Sequence, residues 1–225
     1  MNHFNNHWII ACLLVFSLNL WSQNTAAEST VSFPSADGGI VHALSYPGDK
    51  HAVVLAHGAI FNKESWASFA RQLVKQRLSV LAIDFRGYGR SSAGKLSTGG
   101  LYADILGAVT YLRSQGKSTI TVLGASMGGG AAAQAAVHAN KGDINQLILL
   151  SPTPISNPEA MKADSFLYLA SENEGLAKSV ESQYKQTPDP KQLQWLKGSA
   201  HAQHIFKTPH AQVLIQAIIS FILGS

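Results

Sequence analysis

The chain has 225 residues, 46% of them hydrophobic and 13% charged, and 17 Lys plus Arg against 13 Asp plus Glu give a net charge of +4. The apolar share is ordinary and the charged share about half the usual value, which excludes an intrinsically disordered chain. The positive excess is scattered, with no run of five like charges, so the clustered basic face that nucleic-acid binding needs is absent and no nucleic-acid partner is expected.

No Asp, Glu, Lys or Arg precedes Glu28, and residues 8–21 read WIIACLLVFSLNLW. This stretch is shorter than the roughly 20 residues a membrane-spanning helix requires and suits the apolar core of an export signal. Small residues follow at Thr25, Ala26 and Ala27, so residues 1–27 are expected to be a signal peptide and residues 28–225 one domain. The mature chain is then periplasmic or secreted, without stable membrane insertion. The leading MNHFNNH has no Lys or Arg, and an uncleaved anchor is the alternative. Cys12 is the single cysteine and departs with the signal, leaving no disulfide, thiol nucleophile or cysteine metal ligand.

Beyond Glu28, short buried-type runs alternate with amphipathic ones. Residues 40–46 and 52–56 read as strands, and 64–77 as a helix with Trp66, Phe69, Ala70, Leu73 and Val74 on one face. A strand at 79–83 precedes the turn-rich DFRGYGRSSAGK, and a helix follows at 101–113. Then come a strand at 119–123, an alanine-rich helix at 127–140, strands at 147–150 and 166–170, a helix at 176–184 and a strand at 192–196. The last helix, 209–223, is apolar nearly all round, but Gln216 and Ser220 interrupt it, so it reads as a helix buried on a sheet. This alternation predicts an α/β fold, a mostly parallel sheet with helices on both faces, with chemistry at the carboxyl ends of the strands.

Gly124-Ala125-Ser126-Met127-Gly128 follows the strand at 119–123 directly and opens the helix after it. A serine on such a sharp turn is an exposed nucleophile, small neighbours let the backbone pack closely, and the helix amino terminus offers N–H donors to an oxyanion. The serine needs a base, and the base an acid. His201, in Gly198-Ser199-Ala200-His201, lies just past the strand at 192–196 and is the candidate base. His204 is the alternative, and His138 falls within a helix. Glu172 and Glu174 follow the strand at 166–170; Glu174 is far enough beyond it to turn back toward the histidine and is the preferred acid, with Glu172 the alternative. For the oxyanion, the backbone N–H of Ala59, after the strand at 52–56, pairs with that of Met127. His57 is expected to hold that loop, as Asp84 and Arg86 hold theirs. The spacing of His201 and His204 has no carboxylate or cysteine cluster to support it, so no metal is expected.

These motifs, AHGA at 56–59, DFRGYGRS at 84–91, GASMGG at 124–129 and GSAH at 198–201, resemble those of the α/β-hydrolase family, with the likeness running over about 31–223. The size and the GSAH ending resemble the dienelactone-hydrolase-like esterases, although those carry cysteine where this chain has Ser126, and the family's acid is usually aspartate rather than glutamate. The resemblance implies a serine hydrolase without a cofactor, acting on a small-molecule carboxylic ester or thioester through an acyl-enzyme on a Ser126–Glu174–His201 triad. An acyltransferase or peptidase on the same residues, or a catalytically inactive binding protein on the fold, are the alternatives. About 15 residues separate the strands at 147–150 and 166–170, too few for a helical cap domain. The pocket is therefore expected to be open and to favour short or exposed acyl groups.

Overall fold

Five of the strands have no exposed face, and their side chains feed two cores at once. The computed structural model describes Met1 and residues 28–225; the expected signal peptide, with Cys12, lies outside the described residues. One eight-stranded sheet is built from β1 (Ser29–Pro34), β2 (Ile40–Tyr46), β3 (His51–Ala56), β4 (Ser79–Ile83), β5 (Thr119–Ala125), β6 (Gln146–Leu150), β7 (Ser165–Ser171) and β8 (Lys191–Leu196). Their order is β1-β2-β4-β3-β5-β6-β7-β8. The β1/β2 and β2/β4 pairs are antiparallel, and every later pair is parallel. This is the α/β-hydrolase fold.

Side-chain alternation along β3 explains the layers. Val54 and Ala56 point into the core beneath α2 (Leu101–Ser114), α3 (Met127–His138) and α4 (Ala177–Gln186). Val53 and Leu55 point into the core beneath α1 (Ala67–Lys75) and α5 (Ala211–Leu223). A strand covered on both faces must be apolar at every position, which is why AVVLA shows no period of two. Burying each such Val or Leu contributes about 1.5–3 kcal/mol.

Three local features differ from the sequence reading. β1 was not anticipated: in STVSFP only Phe33 is buried, stacked on Tyr111 with ring centroids 4.8 Å apart, so this edge strand carries no apolar run. The first helix starts later, because a 3₁₀ turn, Lys63–Trp66, capped by the Asn62 side chain, precedes α1. Likewise a 3₁₀ segment, Ala202–Lys207, intervenes between His201 and α5. Between β6 and β7 the chain makes a 3₁₀ turn, Pro158–Ala160, and no cap helix. Among the described residues no helix is long and apolar enough to cross a membrane.

A buried ionic cluster fastens the β1–β2 turn to the sheet. Arg86, after β4, donates through both terminal nitrogens to Asp37, at 2.9 and 2.7 Å, and through Nε and Nη2 to Asp104 of α2. The Arg86 side chain is 1% exposed and those of Asp37 and Asp104 7% and 0%. Hydrogen bonds from Arg86 hold the Asp37 carboxyl well below the usual carboxylate range, and Asp37 in turn pushes Arg86 upward. A carboxylate with a depressed folded-state pKa stabilises fully above its unfolded value of about 4 and loses that contribution as pH falls below it. Asp37→Asn should therefore cost about 2 kcal/mol near neutral pH. In urea unfolding at graded pH, the gap between wild type and Asp37→Asn should be constant above about pH 5 and narrow steadily as pH falls below about 4.

Candidate active site

The carboxyl ends of β3, β5, β6, β7 and β8 lie along one edge of the parallel sheet, and the polar loops that leave them converge there. At the end of β5 the chain turns abruptly into α3 through Ser126, whose φ of 52° and ψ of −116° no β-carbon-bearing residue adopts without strain. Backbone bonds hold it. The Ser126 amide donates to the Leu150 carbonyl at 2.9 Å, and its own carbonyl accepts from Gly130 and Thr153, each at 3.1 Å. The turn also needs its glycines: a Cβ on Gly124 would run into the Gly128 carbonyl, and one on Gly128 into the Ala56 carbonyl of β3.

His201 Nε2 lies 2.8 Å from Ser126 Oγ, and His201 Nδ1 is hydrogen-bonded to Glu174 Oε2. An ionised carboxylate only accepts, so Nδ1 carries the proton and Nε2 is left to accept from the serine hydroxyl. Glu174 comes from the turn after β7 and its side chain is 1% exposed, whereas that of His201 is 38% exposed. Its other oxygen, Oε1, accepts from Ser151 Oγ at 2.6 Å. Ser151 Oγ in turn accepts the amide of Ala202 at 3.2 Å. The histidine loop is pinned a second time, where Ser171 Oγ donates to the Ala200 carbonyl at 2.6 Å.

A cavity of about 170 Å³ opens at Ser126, with Ala59, Ile60, His201 and Gln203 among its walls. The backbone amides of Ala59, in the cavity wall, and of Met127, next to the serine in the chain, have no intramolecular acceptor among the described residues. The Gly58 amide, one residue earlier, is committed to Gln203 Oε1 at 2.7 Å. Gln203 Nε2 donates to Ser65 Oγ at 2.9 Å, so this side chain ties the histidine loop to the loop after β3. The Tyr88 hydroxyl steadies the same loop by donating to the Ala59 carbonyl at 2.7 Å. His57 is fully buried, with Nδ1 bonded to the Gly58 carbonyl and Nε2 accepting the Phe85 amide. Burial pushes its pKa below the ordinary histidine value, which keeps it neutral in the tautomer this loop requires.

The structure thus brings Ser126, His201 and Glu174 into one hydrogen-bonded chain, with Ala59 and Met127 beside it. Glu172 is exposed and lines a separate depression with Trp195 and Lys178, and His204, which lines the outer part of the cavity at Ser126, is exposed and packs on Phe61 with ring centroids 5.2 Å apart. Asp84 accepts from the Lys63 amide and Nζ, and Arg86 serves the ionic cluster, so both hold loops. Among the described residues, no group of three or more His, Cys, Asp or Glu could hold a metal ion. Ser151, Gln203 and Tyr88 were not anticipated. A polar residue directly after the apolar β6 was the visible signal for Ser151; nothing local marked Gln203, whose partners are 145 and 138 positions away.

The family described as "Serine aminopeptidase, S33" matches residues 48–204. The chain is 35% identical over 146 residues to a multifunctional-autoprocessing repeats-in-toxin protein of Vibrio cholerae, covering 62% of this chain and 3% of the toxin. It is 32% identical over 124 residues to the N-formylmaleamate deformylase of Pseudomonas putida, covering 55% of this chain and 45% of that enzyme. It therefore spans less than half the length of the curated relatives it matches. Among solved structures, an esterase of Exiguobacterium antarcticum superimposes with a TM-score of 0.72 at 13% identity, over 86% of this chain and 99% of that one. The α/β hydrolase GrgF of Penicillium sp. sh18 gives 0.73 at 14% identity, over 87% and 98%. Likeness at such identities is likeness of fold.

Ser151→Ala should leave Glu174 Oε1 and the Ala202 amide buried without this partner. The expected cost is about 2 kcal/mol, read as a lower urea midpoint at unchanged slope.

Proposed function

Since the chain belongs to the serine aminopeptidase S33 family of α/β hydrolases, we propose that it is a serine hydrolase cleaving a carboxylic ester or thioester through an acyl-enzyme. The observation that carries this reading is the continuous hydrogen-bonded chain from Ser126 through His201 to Glu174. Ser126 Oγ attacks the substrate carbonyl while His201 Nε2 takes its proton. The amides of Ala59 and Met127 donate to the oxyanion of the tetrahedral intermediate. His201 then protonates the departing alkoxide or thiolate. Water, deprotonated by the same nitrogen, releases the carboxylic acid and restores the serine. Glu174 keeps the imidazole in the required tautomer and stabilises its cation, and Ser151 aims Glu174. The compact size and the GSAH segment support the dienelactone-hydrolase-like esterase branch.

Hydrolysis of a C–N bond is the second reading, favoured by the family description and by the deformylase relative. Removal of an amino-terminal residue requires a carboxylate to hold the substrate's ammonium group. Among the described residues lining the cavity at Ser126 there is no Asp or Glu, which favours an ester or an uncharged amide. Residues 1–27 are proposed to be an export signal, which would put the hydrolase in the periplasm or outside the cell.

Ser126→Ala should lower kcat by on the order of 10⁴–10⁶ with folding intact, and block labelling by a fluorophosphonate. Glu174→Gln should cost on the order of 10²–10⁴ in kcat with little change in KM, and Glu172→Gln less than about tenfold. Ester hydrolysis in Ser126→Ala above a tenth of wild type would reject the mechanism. Protein recovered from the periplasm or medium should have an intact mass lacking 27 residues; a full-length soluble chain would refute export.

A further inference from the structure

The cavity at Ser126 is smaller than the roughly 300–1,000 Å³ usual for a ligand site. A second cavity, of about 550 Å³, adjoins it between α1 and the 3₁₀ segment and α5, and Phe61 and Gln203 line both. The two shared side chains differ in how they are held. Gln203 is buried and fixed at both ends by its bonds to Gly58 and Ser65. Phe61 is only half-buried, and the ring it meets is that of the exposed His204. Phe61 is therefore the less firmly held part of the partition.

The inner wall of the second cavity is aromatic. Trp66, Phe69 and Phe206 pack together with ring centroids 5.0–6.1 Å apart. The indole N–H of Trp66 is buried and finds no acceptor among the described residues. Ser68, Gln72, Lys207 and Gln212 surround the mouth, and Lys207 is the charged residue among those lining the cavity. Such walls suit an extended apolar chain whose far end is neutral or anionic.

We propose that this second cavity is an acyl-chain subsite, so that the preferred substrate is an ester or thioester of a medium-chain acid rather than a short one. The proposal rests on Ser126 being the nucleophile. The direction of binding follows from the site. The leaving group must sit at His201 Nε2, and the His201 side chain is 38% exposed, so that side opens to solvent. The carbonyl oxygen held by the Ala59 amide places the acyl carbons beside Phe61, two residues further along the same loop. A chain of about eight carbons then runs past Phe61 onto the aromatic wall. The lack of a cap domain does not confine the enzyme to short acyl groups, because the binding volume lies under α1 instead.

Ser68 and Gln72 lie one turn apart on α1 at the solvent side of the cavity, so Ser68→Trp and Gln72→Trp should fill it without disturbing the core. Each buried methylene contributes about fourfold in binding. With p-nitrophenyl esters, wild type should prefer octanoyl over butyryl by at least about tenfold in kcat/KM. Each blocking variant should reduce that preference to less than about threefold, with acetyl ester turnover within about twofold of wild type. A readout without turnover separates this subsite from the mechanism. Octanoate should bind Ser126→Ala in calorimetry, and at least about tenfold more weakly when Ser68→Trp is added. Equal octanoate affinity in both proteins, or an unchanged chain-length preference in both blocking variants, would overturn the subsite. Hydrolysis that survives Ser126→Ala would overturn the serine mechanism and leave the binding result standing.

Discussion

Everything at the reactive edge depends on one strained residue. Ser126 can sit at φ 52° only because the parallel sheet surrounds it with backbone partners: β6 accepts its amide, the first turn of α3 and the loop after β6 take its carbonyl. The strain is offset by those bonds and by the close approach that Gly124 and Gly128 allow, and it points Oγ away from the sheet toward the loops. A serine in the middle of a regular helix or strand could not be presented this way.

A second region of strain lies across from the first. Ser151 and Ala202 are also non-glycine residues at positive φ, 45° and 49°, and they are joined to each other through the bond from the Ala202 amide to Ser151 Oγ. Both flank the histidine–carboxylate pair. The β6 loop aims the acid, the β8 loop carries the base, and a distortion in either would be felt by the other. Gln203 extends this coupling to the loop after β3, so the base and the oxyanion donors are held by one set of hydrogen bonds. Neutral His57 beneath that loop and the Tyr88 hydroxyl above it complete the support.

The charged cluster of Arg86, Asp37 and Asp104 serves another end of the molecule. It fastens the antiparallel edge, where β1 contributes little apolar area, by charge-assisted hydrogen bonds that offset the desolvation pushing the Asp104 carboxyl up. The parallel half of the sheet is held mainly by its two apolar layers, with the ion pair of Lys63 and the buried Asp84 at the end of β4. Stability and chemistry are thus separated along the sheet, and the reactive edge can carry strain while the core beneath it stays packed.

Much of this was legible in the amino-acid order. Apolar runs with and without period set the strands and helices, and the glycine spacing around Ser126 marked the turn between β5 and α3, because both signals are local and depend on neighbours within a few residues. The strand-end positions of His201, Glu174 and Ala59 followed from the topology. What needed the tertiary structure were the relations between distant segments. Glu174 and Glu172 are chemically alike and two residues apart, and only the turn after β7 decides that one is buried against His201 and the other left in solvent. The exposed edge strand β1 was invisible because its pairing, not its composition, makes it a strand. Ser151, Gln203 and the cavity under α1 arise where loops meet that are far apart in the chain, and no local pattern of residues encodes such a meeting.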